Sequence, residues 1–327
     1  MADIPIVVCA ADDRYAMPLA TMLRSLADTL RKYPTVQVWV LDGGVTRRNK
    51  RRIVRSLPSG VVKLRWVRPS HRQLKGVPVF GHVSICTYYR LVIGEVLPSS
   101  IRRVIYLDVD TLVMGDIGDL WDVELDTNTL AAVPHPGVKV SDPYGLDMYE
   151  ELGLPPDAPY FNAGVLLIDL DRWRMMKVGA LAASFVTKYC RRLHFWDQDV
   201  LNGVLAHSWG VLDAGWNVCV SHLWQGDVAK LTNHNGRPFI IHFASSIKPW
   251  EYDAGHPAEQ MYFQMMDLTE WCGWRPAKPR FNWRKINANL KNVHWYGYWI
   301  RKTPGLGMIW ESGMNWIKGM KSARRFH

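Results

Sequence analysis

The sequence predicts an α/β fold built on a mostly parallel, Rossmann-like sheet flanked by helices. Three observations carry that expectation. Strand-like apolar runs alternate with helix-spaced segments up to about Val67, in a βαβαβ order that selects a parallel, doubly wound sheet. Two further apolar runs, Val104 to Leu107 and Tyr160 to Leu170, supply later strands. Polar residues recur where these strands end, which is where open α/β sheets bind ligands.

The elements follow in order. Ile4 to Ala11 reads as a buried strand ending in Asp12-Asp13-Arg14-Tyr15. Leu19, Met22, Leu23, Leu26 and Leu30 recur at helical spacing, and Pro34 stops that helix. Val36 to Leu41 is a second strand, closed by the turn signal Asp42-Gly43-Gly44. Thr46 caps a basic helix to Leu57, Pro58-Ser59-Gly60 breaks it, and Val62 to Val67 is a third strand. Ser84 to Val96 has helical spacing at Ile85, Tyr88, Tyr89, Val92 and Val96. Asp116 to Trp121 reads as a short helical turn and Leu130 to Val133 as a strand. Pro134 to Pro159, rich in Pro, Gly and Asp, is expected to be a long functional loop. Asp171 is expected to cap one helix from Arg172 to about Tyr189, and Asp197-Gln198-Asp199 to open another through Leu205. Phe239 to Phe243 is the last buried strand, and a final helix is expected from Pro257 to Trp271.

Composition narrows the class. A chain of 327 residues with 48% hydrophobic content can bury a sizeable core. Its five cysteines are scattered with no Cys-x-x-Cys, which argues against a disulfide framework and a zinc site and for reduced thiols. The N-terminus lacks the pattern of a secretory signal, and no stretch approaches the roughly 18 apolar residues that span a bilayer. The net charge of +10 is unevenly placed: residues 275–327 hold 12 Lys/Arg and one acid, Glu311, while residues 1–274 are near neutral. Two domains are therefore expected, a body at 1–274 and a basic, aromatic tail at 275–327.

The chemistry concentrates at Val-Ile-Tyr-Leu-Asp-Val-Asp, residues 104–110. A buried strand running into Asp108 and Asp110 places hard oxygen ligands at a sheet end, suited to Mg²⁺ or Mn²⁺. The alternative is a strand-to-turn junction with solvated acids. His242, ending another predicted strand, is either a third ligand or a core histidine. Lys248 is either a phosphate contact or a surface charge. Arg90 pairs with a carboxylate or with a diphosphate.

In sequence order, six motifs add up to a resemblance. They are Ala10-Ala11-Asp12-Asp13-x-Tyr15, Ile85-x-Thr87-Tyr88-x-Arg90-Leu91, Tyr106-Leu107-Asp108-Val109-Asp110, Tyr160-Phe161-Asn162-Ala163-Gly164-Val165, Asp197-Gln198-Asp199-x-Leu201-Asn202, and His242-Phe243 with Lys248-Pro249-Trp250. Over roughly residues 6–274 the chain resembles glycosyltransferase family 8, of the bacterial lipopolysaccharide galactosyl- and glucosyltransferase type. The resemblance implies a GT-A fold, a retaining transfer that depends on Mn²⁺ (Mg²⁺ as the alternative), and a UDP-galactose or UDP-glucose donor. It implies Asp108, Asp110 and His242 as metal ligands. Ala10 and Asp12 would hold the uracil and ribose side with Thr87, and Lys248 the diphosphate. Arg90, Asn162, Asp197 and Gln198 would surround the donor sugar, with Val109 and Ala163 completing the donor site. Asp197 and Gln198 are the catalytic candidates, although an amide is a poor nucleophile and Asp197 is as well suited to holding sugar hydroxyls. The chain departs from the family at Ser245, usually glycine, and near His135, where the family has an acid.

The tail mixes its cations with Trp283, Trp295, Tyr296, Tyr298, Trp299, Trp310 and Trp316. Cations and aromatics together favour a membrane–water interface; a solvated tail and a nucleic-acid contact are the alternatives, the latter not expected. The combined expectation is a hexosyltransferase on the cytoplasmic face of the inner membrane, extending a lipid-linked or lipopolysaccharide acceptor. Its rivals are a glycogenin-like self-glucosylating enzyme and a non-catalytic nucleotide-sugar scaffold.

Overall fold

The seven-stranded sheet begins with the predicted alternation. β1 (Ile6–Ala11), α1 (Ala16–Thr29), β2 (Val36–Asp42), α2 (Arg47–Arg55) and β3 (Val62–Val67) follow one another, and the three strands pair in parallel. In this computed structural model, residues 4–70, 85–220 and 238–278 are described. A 3₁₀ helix, Ile85–Val92, runs into α3 (Ile93–Val96). β4 (Arg103–Leu107) then enters beside β1 in parallel, Val8 opposite Tyr106. β5 (Thr111–Val113), α4 (Ile117–Trp121), β6 (Leu130–Lys139) and β7 (Pro159–Asp169) come next. They are followed by α5 (Leu170–Met175), α6 (Val178–Tyr189), α7 (Asp197–Val204) and β8 (Trp209–Val211). β9 (Val218–Cys219), β10 (Ile240–His242) and α8 (Glu259–Met266) complete the described elements.

The main sheet has the order β3-β2-β1-β4-β7-β6-β8. β7 lies antiparallel to both β4 and β6, and the other pairs are parallel. A small second sheet, β5-β10-β9, sets His242 opposite Thr111 and beside Cys219. That pairing brings the last strand back to the loop after β4.

Period-two alternation splits the core between the two faces of the sheet. Val7, Cys9, Val38, Ile105 and Leu107 pack with Leu19, Met22, Leu23 and Leu26 of α1. Val8, Val104, Tyr106, Leu166 and Ile168 pack with Tyr88, Trp173, Val186 and Leu201. Buried Ser25 accepts from Val113 N–H and donates to Met22 O, so α1 also holds β5 in place. No helix among the described residues is long and apolar enough to cross a membrane.

Four expectations change. The 84–96 segment is 3₁₀ over most of its length, because Tyr88 to Val92 are buried in unbroken succession rather than along one helical face. The helix expected over 172–189 is two: Asp169, not Asp171, accepts from Arg172 N–H as the cap, and Lys177 in the left-handed region (φ 55°) breaks the chain between α5 and α6. The 134–159 loop begins as strand. β6 runs on to Lys139, with register shifts between Ala132 and Val133 and between Pro134 and Lys139, the second at a proline that has no N–H to give the ladder. The final helix is shortened to Glu259–Met266.

The chain divides into units at 1–275 and 276–327. Of the second, only 276–278 are described, so the expected membrane-associating tail lies outside the described residues.

Candidate active site

The loop after β4 is pinned through its backbone. Asp108 N–H donates to Gly164 O on β7 (2.8 Å), Thr111 Oγ1 donates to Asp108 O (2.7 Å), and Phe243 N–H donates to Asp110 O (2.9 Å). Val109 turns its side chain into the core, which leaves the two acids on the opposite side. Asp108, Asp110 and His242 each offer an atom within 4.8 Å of the others. His242 Nε2 lies 3.4 Å from Asp110 Oδ1 and 3.9 Å from Asp108 Oδ2.

Cations surround these acids. Arg90 Nη2 donates to Asp108 Oδ1 (2.6 Å), Tyr106 OH donates to the same oxygen (3.1 Å), and Arg90 Nε stands 2.7 Å from Asp197 Oδ2. Lys248 Nζ donates to Asp110 Oδ2 (2.6 Å) and Phe243 O (2.7 Å). Burial opposes the charge on Asp110, but Lys248 and then His242 outweigh it and hold the carboxyl well below its usual range. Burial also opposes a charged His242; Asp110 outweighs it and raises the imidazole to about 10. For Asp197 burial wins over Arg90 and pushes the carboxyl up to about 7. Arg90 itself is raised. The two directions are compatible: one guanidinium gains from two carboxylates, while Asp197 must share its cation with Asp108.

Two carboxylates and an imidazole form a donor set suited to a hard or borderline divalent ion such as Mg²⁺ or Mn²⁺. One observation supports the fit beyond residue type. His242 Nδ1 faces Asn217 Oδ1 at 2.9 Å, so Nε2 is the nitrogen turned towards the acids.

α7 carries the catalytic candidates. Asn202 on its last turn accepts from Phe161 N–H and donates to Phe161 O, pairing with β7 as a strand would. Asp199 accepts from His194 N–H, Phe195 N–H and the Tyr160 hydroxyl. These two residues dock the helix, and Asp197 and Gln198 are thereby presented beside Arg90 and Asn162. Gln198 Oε1 accepts from Asn162 Nδ2 (3.0 Å) and Ala163 N–H (3.1 Å), and its Nε2 donates to Tyr160 OH (3.1 Å).

Nine of the residues singled out from sequence thus belong to one connected cluster: Arg90, Asp108, Asp110, Asn162, Ala163, Asp197, Gln198, His242 and Lys248. Ala10 and Asp12 close the neighbouring strand β1, where Asp12 accepts from Arg14 N–H. Thr87 lies half-buried on the 3₁₀ helix that carries Arg90. Ser245 turns its hydroxyl into its own loop, donating to Ile247 O (2.6 Å). His135 is half-buried on β6.

Sequence reasoning missed three contributors. Tyr106 shares a strand face with Asp108 two residues on, a signal the period supplies. Gly164 has the imidazole against its Cα: a Cβ there would sit 2.2 Å from His242 Cε1. Asn217 follows a stretch without clear periodicity, and an asparagine before a two-residue strand carries no signal.

The description "Glycosyl transferase family 8" matches residues 6–254. General stress protein A of Bacillus subtilis (strain 168) is 30% identical over 277 residues, 81% of this chain and 94% of its own length. Lipopolysaccharide 1,2-glucosyltransferase of Escherichia coli (strain K12) is 27% identical over 233 residues, 68% of this chain and 65% of its own length. A crystal structure of the galactosyltransferase LgtC in complex with donor and acceptor sugar analogues superposes with a TM-score of 0.68 at 26% identity, over 86% of this chain and 99% of that one.

Proposed function

The chain belongs to glycosyl transferase family 8 and has the GT-A fold, and on that premise we propose a divalent-metal-dependent, retaining hexosyltransferase. Its donor is UDP-galactose or UDP-glucose, and its acceptor a lipopolysaccharide or lipid-linked oligosaccharide. We propose Mn²⁺ as the ion, with Mg²⁺ as the alternative. The observation that carries the reading is the convergence of Asp108, Asp110 and His242 from separate parts of the chain to within 4.8 Å.

Cleaving a sugar–phosphate bond leaves negative charge on the departing diphosphate. A divalent ion held by Asp108, Asp110 and His242 supplies positive charge for that group when bound. Lys248 adds a point charge at the same place, once Asp110 no longer needs it. Arg90 fixes Asp108 Oδ1 and leaves Oδ2 facing His242. Ala10, Asp12, Thr87 and Val109 are assigned to the nucleotide side. Arg90, Asn162, Ala163, Asp197 and Gln198 are assigned to the sugar. The state of the two catalytic candidates favours departure and attack on one face of the sugar over a covalent intermediate. Gln198 Oε1 already accepts two hydrogen bonds, and Asp197 lies buried against Arg90.

The test is UDP formation from UDP-galactose and UDP-glucose, with lipopolysaccharide-type acceptors, with and without Mn²⁺. Metal-dependent UDP formation is expected, and Asp110→Asn is expected to lower it by on the order of 10²–10³ with the circular dichroism of the fold unchanged. No metal-dependent turnover with either donor, or full activity in the Asn variant, overturns the reading.

A further inference from the structure

Five hydrogen bonds run in one direction beneath the site. His242 Nδ1 faces Asn217 Oδ1 (2.9 Å), and Asn217 Nδ2 donates to Asn162 Oδ1 (2.8 Å). Asn162 Nδ2 donates to Gln198 Oε1 (3.0 Å), Gln198 Nε2 to Tyr160 OH (3.1 Å), and Tyr160 OH to Asp199 Oδ1 (2.5 Å). An amide side chain can be turned end for end, so its orientation needs an outside reference. The backbone supplies two. Gly164 N–H, which can only donate, points at Asn162 Oδ1 (2.9 Å), and Ala163 N–H points at Gln198 Oε1 (3.1 Å). With Asn162 Oδ1 fixed as an acceptor, Asn217 must turn its NH₂ towards it. Asn217 Oδ1 is then left for the imidazole, and it accepts only if Nδ1 carries a hydrogen. The Cys219 thiol lies 3.7 Å from that same oxygen and 3.8 Å from Nδ1, a longer and weaker contact than the 2.9 Å one to Asn217.

Asn217 is 2% exposed and Asn162 7%. Buried amides in a chain of this kind need every partner, and losing one leaves the others unsatisfied. Asn217 ends a short 3₁₀ helix (Ala214–Asn217) and enters β9, whose Cys219 is the register partner of His242. The residue is therefore carried by the strand that lies beside the histidine.

We infer that Asn217 is a positioning residue that sets which imidazole nitrogen of His242 faces Asp108 and Asp110, and that it joins that histidine to the sugar-side residue Gln198 through Asn162. Hydrogen bonds to the far nitrogen of a metal-binding histidine fix its ring and strengthen it as a ligand, and their loss typically costs about 10–100-fold in metal affinity or activity. Here the outer partner is also tied to the residues assigned to the donor sugar. This inference rests on reading Asp108, Asp110 and His242 as a cation site.

The test uses the full-length protein and Mn²⁺ alone, with free Mn²⁺ followed by electron paramagnetic resonance. Asn217→Leu, close in shape but without polar atoms, is expected to weaken Mn²⁺ binding by about 10–100-fold. Asn217→Asp keeps an oxygen for His242 Nδ1 but has no N–H for Asn162. It is expected to hold Mn²⁺ close to the wild-type affinity while raising KM for the sugar nucleotide. Unchanged Mn²⁺ affinity in a folded Leu variant overturns the inference, as does an Asp variant that loses Mn²⁺ as badly as Leu. A second readout needs no metal: in ¹⁵N-labelled protein the His242 Nδ1–H signal is expected to be shielded from exchange, and lost in Asn217→Leu. A signal indifferent to Asn217→Leu overturns the inference. A wild type that shows the signal but binds no Mn²⁺ sinks the cation reading and leaves the placement of His242 standing.

Discussion

Gly164 shows how a residue without a side chain governs the site. Its N–H donates to Asn162, its carbonyl accepts from Asp108, and its Cα lies against the imidazole of His242. A methyl group there would meet His242 Cε1 at 2.2 Å and Nδ1 at 2.6 Å, and the ring cannot yield without leaving Asn217. Gly164→Ala is therefore expected to fold, to lose metal-dependent turnover by about 10²-fold, the scale of an ångström-sized misplacement, and to bind Mn²⁺ weakly. Near-normal kinetics in that variant would show that His242 does not act from this position. Asp197 supplies a second expectation at this scale. Burial raises its carboxyl from 3.8 to about 7 against the pull of Arg90. A carboxyl raised on folding contributes stability that is fully present below its unfolded value and is lost as pH rises through its folded value. The ligand-free protein is thus expected to lose up to a few kcal/mol from this group between about pH 4 and pH 7. Thermal melts across that range check it: Asp197→Asn should flatten the pH dependence, and an unaltered slope would rule the group out. The acids and His242 were visible as candidates in the sequence because each stands at a strand end, and the family resemblance joined them into one set. Asn217 was not, because its role exists only once β9 lies beside β10.

At the level of elements, the readable parts were those whose signals are local in the sequence. β1, β2, β3 and the two intervening helices matched, because short apolar runs closed by turn residues, helical spacing and the Thr46 cap are local signals. The parts that misled depend on burial from several sides. Ile85–Val92 has a helical spacing of large residues, yet Tyr88 to Val92 are buried one after another, and the segment is a 3₁₀ helix. The α5–α6 break at Lys177 leaves no mark in the sequence, since lysine is neither a stop signal nor a habitual left-handed residue. The start of β6 was read at Leu130 to Val133, but its extension to Lys139 was hidden in a segment rich in proline and glycine, because that continuation depends on β7 supplying a partner despite two register shifts. These misreadings matter for the site. The 3₁₀ helix is what carries Arg90 to both Asp108 and Asp197, and β7 is what delivers Asn162, Ala163 and Gly164 to the same place. α7 shows the converse, a motif whose letters divide by task. Asp199 and Asn202 fasten the helix to its surroundings, while Asp197 and Gln198 are the pair proposed to meet the substrate.

Across the whole molecule the decisive asymmetry is electrostatic. Residues 1–274 hold nearly balanced charge, whereas 275–327 carry 12 cations, one acid and a dense set of tryptophans and tyrosines. We propose that this segment attaches the enzyme to the cytoplasmic face of the inner membrane, where a lipid-borne acceptor is presented. Each Lys or Arg near an anionic leaflet contributes about 1 kcal/mol, reduced by salt, so attachment would survive even if most of the 12 contribute little. Aromatic side chains at the headgroup level add a part that salt does not screen. The two contributions make separable predictions. Full-length protein is expected to sediment with anionic liposomes and to be released only partly by high salt. Protein lacking residues 280–327 is expected to stay in the supernatant while keeping transfer to a soluble acceptor, since Asp108, Asp110, His242 and Lys248 all lie outside the removed segment. Truncated protein that still sediments with anionic vesicles would place the membrane contact on the body instead. Loss of soluble-acceptor transfer on truncation would mean that the tail serves the reaction itself rather than its location.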